Sequence, residues 1–135
     1  MQKTHTFFLF TGEQCGKALE AARLYTSLFK NSEIKDIKYM TPEQTGYKEG
    51  MITHALFTID GQEYLISDGP GDHKFPFNPS ISIAVNCETE EEIDSLFRKM
   101  TEGGSVMMPL GEYGFSKKFA WIADQYGVSW QLILF

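Results

Sequence analysis

A chain of 135 residues holds one domain's worth of core, and 42% hydrophobic content with eleven Phe and six Tyr is ample for globular packing. The formal charge of −6 argues against nucleic acid or an anionic membrane as partner, since both call for basic patches. No apolar run nears the roughly 20 residues of a membrane span. The N-terminus carries no signal-peptide pattern, and Cys15 and Cys87 are too few for a disulfide framework, so a cytoplasmic setting with structural thiols is expected.

Thr4 to Phe10 is β-branched and aromatic and reads as a strand, broken by Thr11-Gly12-Glu13, which is expected to open a helix. Ala18, Ala21, Ala22, Tyr25, Leu28 and Phe29 recur at three- and four-residue steps and give that helix one apolar stripe, ended by Asn31-Ser32. Ser32 to Met40 predicts a strand, and Thr41 to Gly50, with Pro42, Gly46 and Gly50, a loop. Met51 to Ile59 and Gln62 to Ser67 flank Asp60-Gly61, a hairpin signal. Asp68 to Pro79, with three Pro and two Gly, reads as an irregular connection. The order then restarts with a strand over Ser80 to Asn86. Thr89 is positioned as an N-cap ahead of Glu90-Glu91-Glu92, a solvated acidic first turn, and Ile93, Leu96, Phe97 and Met100 form a helical stripe. Gly103-Gly104 stops that helix, Ser105 to Leu110 is a short strand and Gly111 to Lys118 a loop. In the closing hairpin, Val128, Trp130, Leu132 and Leu134 alternate with Ser129, Gln131, Ile133 and Phe135, so the two sets face opposite sides of one strand.

Strand, helix and three strands, twice over, predict an α+β fold: one domain spanning 1–135, built from two βαβββ modules. The modules cover about 1–68 and 80–135, joined through 69–79, around a pseudo-twofold with helices outside and a concave inner face. Aligning Gly61 with Gly127 sets Tyr64 against Trp130 and Leu65 against Gln131.

The doubled βαβββ order resembles the vicinal oxygen chelate superfamily of glyoxalases, bleomycin-resistance proteins and extradiol dioxygenases, whose sheets are curved and mixed. More narrowly, Glu20-Ala-Ala-Arg-Leu-Tyr-Thr-Ser-Leu-Phe-Lys-Asn-Ser-Glu-Ile34 resembles the first helix of PhnB-like proteins, a group that carries the name 3-demethylubiquinone-9 3-methyltransferase domain. Thr58-Ile-Asp-Gly-Gln-Glu63, Ser80 to Asp94 and Gly127-Val-Ser-Trp-Gln131 are similar to the same group. Glu13-Gln-Cys-Gly-Lys17 makes a longer link from first strand to helix than the group shows.

Metal-using members of the superfamily place His, Glu or Gln ligands in the first and last strand of each module. Carried over, those positions are His5, Leu65, Ser82 and Gln131. Leu65 cannot bind a metal and Ser82 is a poor ligand, so the set falls short of three good donors and no metal is expected. Gly103-Gly104 lies at a helix end before a strand, the wrong context for a nucleotide cradle, so no cofactor is expected and the methyltransferase name implies no activity. The leading expectation is a homodimeric protein whose aromatic-lined cup binds a small organic ligand through His5, Phe7, His54, Leu65, Ser82, Trp121 and Gln131, with no catalytic residue assigned. His54 reads most simply as a hydrogen-bonded wall histidine, and Trp121 and Trp130 as packing or a ligand platform. His73 is expected at the surface or a cavity rim. Two alternatives stand beside it. One is a metal-dependent lyase, isomerase or dioxygenase relative using His5, Gln131 and a further donor such as Glu63. The other is an interaction module that serves to form a dimer.

Overall fold

The computed structural model describes residues 1–135, which divide into two compact units, Met1–Pro76 and Phe77–Phe135. In the first unit the elements are β1 (Thr6–Phe10), a single 3-10 turn (Gly12–Gln14), α1 (Ala18–Leu28), β2 (Ile34–Tyr39), β3 (Ile52–Ile59) and β4 (Gln62–Asp68). They form a four-stranded sheet in the order β1-β4-β3-β2, with β1 parallel to β4 and the other pairs antiparallel. Alternation along β1 decides which side is covered. Phe8 and Phe10 are buried while Phe7 is 54% exposed. Phe8 meets Phe57 of β3 at 6.4 Å between ring centroids, and both approach Tyr25 of α1, so α1 lies on the Phe8 face. The β3–β4 hairpin turns on Asp60 (φ 47°) and Gly61 (φ 81°). Two successive positive φ values are what a two-residue turn needs to match strand twist, and hence the Asp-Gly pair.

The second unit repeats this order with β5 (Ser82–Cys87), α2 (Glu90–Thr101), β6 (Ser105–Gly111), β7 (Lys118–Ala123) and β8 (Ser129–Leu134). Its sheet runs β5-β8-β7-β6, again with the first pair parallel and the rest antiparallel. β4 and β8 therefore hold the same topological place, as the Gly61 and Gly127 alignment predicts. Thr89 caps α2, its Oγ1 accepting from the Glu92 amide at 3.1 Å, while the Glu92 carboxylate takes the Glu88 amide at 2.7 Å. This is a close relative of the capping box and accounts for part of the acidic run. Ile93, Leu96 and Met100 then pack on Ala120, Ile122, Trp130 and Leu132, all buried.

Three expectations are corrected. Thr11-Gly12-Glu13 does not open the helix: it leads into the 3-10 turn, and α1 starts at Ala18, because the longer link first has to reach a distant cap, described below. Asp68 is not the start of an irregular connection but the buried last residue of β4, 5% exposed. The fifth strand begins at Ser82, leaving Ser80 to the Asn78 side chain, which accepts from both its amide and its hydroxyl.

Gly103 and Gly104 do more than stop α2. Gly103, at φ 73°, takes the left-handed position that ends a helix. Gly104 sits against the β7 end, where a Cβ would lie 2.9 Å from the Asp124 carbonyl carbon and 3.1 Å from its Cα. Backbone cannot yield as a flexible side chain can. Gly104→Ala is expected to destabilise the fold by about 3 kcal/mol, the upper part of the range for overpacking, read as a lower urea midpoint with an unchanged m-value.

Candidate functional site

The side chains facing away from α1 and α2 form two pairs of neighbours at equivalent positions. On the ladder β1–β4, Thr6 pairs with Tyr64 and Phe7 with Leu65; one residue further back on each strand stand His5 and Glu63, whose Nε2 and Oε1 are 3.0 Å apart. On the ladder β5–β8, Ser82 pairs with Ser129, and their hydroxyls are 2.6 Å apart. Glu63 and Ser129 each lie two residues past the aligned glycines Gly61 and Gly127, so His5 and Ser82 are counterparts. The next row along each sheet is Phe7, Leu65 and Leu56 in one unit and Ala84, Gln131 and Trp121 in the other.

His54, on β3, is on the same face as Leu65 and approaches Asp36 at 3.6 Å, so it serves as a half-exposed wall histidine. The two tryptophans part company. Trp130 is fully buried under α2 and its indole donates to the Asp124 carboxylate at 2.9 Å, whereas Trp121 is half-buried on the opposite face and donates to Ser129 Oγ at 2.9 Å. His73 is exposed, and its ring lies 5.9 Å from that of Phe75.

Sequence reasoning missed Ser129 and named Glu63 only as an alternative donor. The signal for both was present, since each sits two residues before a candidate on the same strand face. Glu63 is held below its ordinary value of 4.5, first by the hydrogen bond from His5 and further by Lys35, 3.4 Å from Oε2. A carboxyl whose pKa is lowered by folding stabilises the fold above its ordinary value, and that contribution is lost as pH falls through the lower folded value. Urea midpoints between pH 3 and 7 are therefore expected to fall less steeply in acid for Glu63→Gln than for the natural chain.

The donors present do not make up a metal site within either unit. Leu65 offers none, His5 is engaged with Glu63, Ser82 with Ser129, and no three His, Cys, Asp or Glu side chains gather to hold an ion. A structural or catalytic ion commonly takes three or four protein donors. The head of α1, the nearest thing to a phosphate cradle, is also taken: the amides of Gly16 and Ala18 donate to Asp68 Oδ1 at 2.7 and 3.2 Å. Those are the N–H groups a phosphate would use. Neither thiol is an activated nucleophile. Burial and the nearby Glu92 push Cys87 up to about 11, and burial with Asp68 raises Cys15.

A family profile, 3-demethylubiquinone-9 3-methyltransferase, matches residues 2–133. The chain belongs to this PhnB-like family. A PhnB protein from Bacillus cereus is 51% identical, with a TM-score of 0.92 over 99% of this chain and 100% of that one. The PhnB-like chain has the fold of the vicinal oxygen chelate superfamily. FosX, a fosfomycin resistance protein from Listeria monocytogenes, superposes with a TM-score of 0.62 at 15% identity over 100% of this chain and 93% of its own. A glyoxylase/bleomycin resistance protein/dioxygenase domain from Frankia gives 0.65 at 13% identity over 99% and 91%. Likeness this remote speaks to the fold alone. No curated protein matches the PhnB-like chain.

Proposed function

We propose that this PhnB-like protein binds a small organic molecule without a metal ion, on the sheet faces that α1 and α2 leave uncovered, and that the two units serve as one domain. The observation that carries the reading is the way the four ligand positions are used. His5 and Ser82 are tied to neighbours on their own sheets, Leu65 has no donor, and Gln131 alone remains as a neutral amide. Around them lie Phe7, Leu56 and Trp121, apolar surface of the kind that encloses organic ligands. A thermal-shift screen of metabolites is expected to yield at least one compound that raises Tm dose-dependently, because a ligand selective for the folded state stabilises it by mass action. A screen without any hit at millimolar concentrations counts against the reading.

Metal independence has its own test. Adding Zn, Ni, Mn or Fe ions is expected to leave Tm within about 1 °C, whereas Leu65→Glu places a third donor beside His5 and Glu63 on one face and is expected to let the same ions raise Tm by several degrees. Tight stoichiometric metal in the natural protein, abolished by His5→Ala, would instead support a metal-dependent lyase, isomerase or dioxygenase. That second reading rests on the 3.0 Å His5–Glu63 pair, two adjacent donors on one face.

The protein is further proposed to be a cytoplasmic homodimer. Both thiols are free, and no helix is long and apolar enough to cross a membrane. Ile81 at 79% exposure and Phe115 at 55% are large apolar side chains of the kind that dimer contacts cover. Light scattering at micromolar concentration checks the mass.

A further inference from the structure

Ser129 is 2% exposed, and its hydroxyl has two hydrogen-bond partners, an indole and another hydroxyl. Its oxygen accepts from the Trp121 indole at 2.9 Å and lies 2.6 Å from the Ser82 oxygen. An indole N–H can only donate, so the direction of the first bond is settled. The second could run either way, and burial decides it. If Ser82 donated, the Ser129 O–H would be left in the interior without an acceptor, a state that buried polar groups avoid. Ser129 therefore donates to Ser82. The hydrogen bonds then run one way, Trp121 to Ser129 to Ser82, and the proton of half-buried Ser82 is left over, facing out from the uncovered side of the sheet. Bonds aligned head to tail polarise one another, which makes the last hydroxyl a better donor than an isolated serine. Two residues along β8, on the same face and beside Trp121, is the Gln131 amide.

We infer that Ser82 is a hydrogen-bond donor dedicated to an oxygen acceptor of the ligand, so that the bound molecule is a planar carbonyl or carboxylate compound lying against Trp121, with Gln131 as its second polar contact. This rests on the small-molecule reading above and narrows it to one chemical class. Ser82, a poor ligand at a position where the resemblance implies a metal donor, thus has a use of its own. Ser82 and Gln131 touch the ligand; Ser129 and the Trp121 N–H are positioning groups that set the direction of Ser82.

Three probes of one size and differing polarity test it: benzoate, acetophenone and benzylamine, titrated into the full chain while the indole N–H resonances are followed by nitrogen-15 NMR. Trp121→Phe assigns the two indole signals. Benzoate or acetophenone is expected to bind and to shift the Trp121 signal, while benzylamine, an ammonium without an acceptor, leaves it in place. Ser82→Ala is expected to weaken acceptor binding about tenfold, the weight of one hydrogen bond to a ligand, and Ser82→Thr to restore most of it. Ser129→Ala is expected to weaken it less, since it removes the polarising bond and not the donor. If only benzoate binds, the ligand is a carboxylate; if acetophenone binds as well, a carbonyl suffices. Failure of both acceptors to bind, equal binding of benzylamine, or indifference to Ser82→Ala would overturn the inference. The wild-type comparison of probes holds even where a variant fails to fold. None of these results removes the small-molecule reading, which fails only if the wider metabolite screen is empty.

Discussion

Asp124→Ala is expected to lower the stability of the protein by about 4 kcal/mol, because it strips three buried donors of one acceptor. The Asp124 carboxylate accepts from the amides of Tyr126 at 2.9 Å and Val128 at 3.1 Å through Oδ1, and from the Trp130 indole at 2.9 Å through Oδ2. Asp124 is 3% exposed and Trp130 fully buried, so water cannot step in without opening the end of the β7–β8 pair. For a chain of this length, 4 kcal/mol corresponds to a fall in Tm of roughly 12–16 °C. Circular dichroism melting checks the figure. Asp124→Asn can keep an oxygen for the Tyr126 and Val128 amides but then sets its NH2 against the Trp130 indole N–H, so its loss should be intermediate. Glu102→Ala, at an exposed position, is the control and is expected to change stability by no more than about 0.5 kcal/mol. An Asp124→Ala protein melting within a few degrees of the natural chain would show that the turn satisfies its donors in another way.

Asp68→Ala is the second large effect, expected at about 3–5 kcal/mol on the same grounds. Here the three donors belong to different elements. Oδ1 takes the Gly16 and Ala18 amides, and Oδ2 takes the Ile52 amide at 2.9 Å. One carboxylate at the end of β4 thus caps α1 across 50 residues of chain and anchors the start of β3. α1 needs it, because its N-cap residue, Lys17, supplies no side-chain hydrogen bond to the helix. Negative charge at a helix N-terminus also meets the positive end of the helix dipole. Hydrogen exchange should report the location of the damage. Amides at 16, 18 and 52 are expected to exchange faster, ahead of those in β7 and β8. Uniform acceleration across the chain would mean that Asp68 acts on the whole fold and not as a local tie.

Much of the architecture was legible because it is written in short-range pattern. The period-2 run from Val128 to Leu134 put Trp130 and Leu132 in the core and Gln131 on the far face, as found. Asp60-Gly61 announced a two-residue hairpin, and Thr89 an N-cap. The doubled order of elements followed from the same local signals, and the motif at Glu20 to Ile34 led to the family that the profile match establishes.

The candidate site was legible only in part. Leu65 and Gln131 take equivalent places four residues past Gly61 and Gly127, as counting from the turn glycines predicts, while His5 and Ser82 stand in the parallel first strands beside Glu63 and Ser129. What each polar group binds was out of reach. Asp68 read as the start of an irregular connection, the usual fate of Asp beside Gly and Pro. It is instead a buried acceptor, and nothing within a few residues of it reveals that Gly16 and Ile52 will converge on it. The strand positions of Glu63 and Ser129 could be counted, but that they meet His5 and Ser82 could not, those partners being 58 and 47 residues away.

The division follows from the range of the interactions. Secondary structure, face and repeat depend on residues two to four apart, so the order of side chains along the chain was enough to determine them. The pairing of His5 with Glu63, the one-way run from Trp121 through Ser129 to Ser82, and the convergence of Gly16, Ala18 and Ile52 on Asp68 depend on elements brought together when each sheet forms. Only tertiary structure could decide them, because a hydrogen bond needs its partners within about 3 Å and the sequence holds no record of that distance.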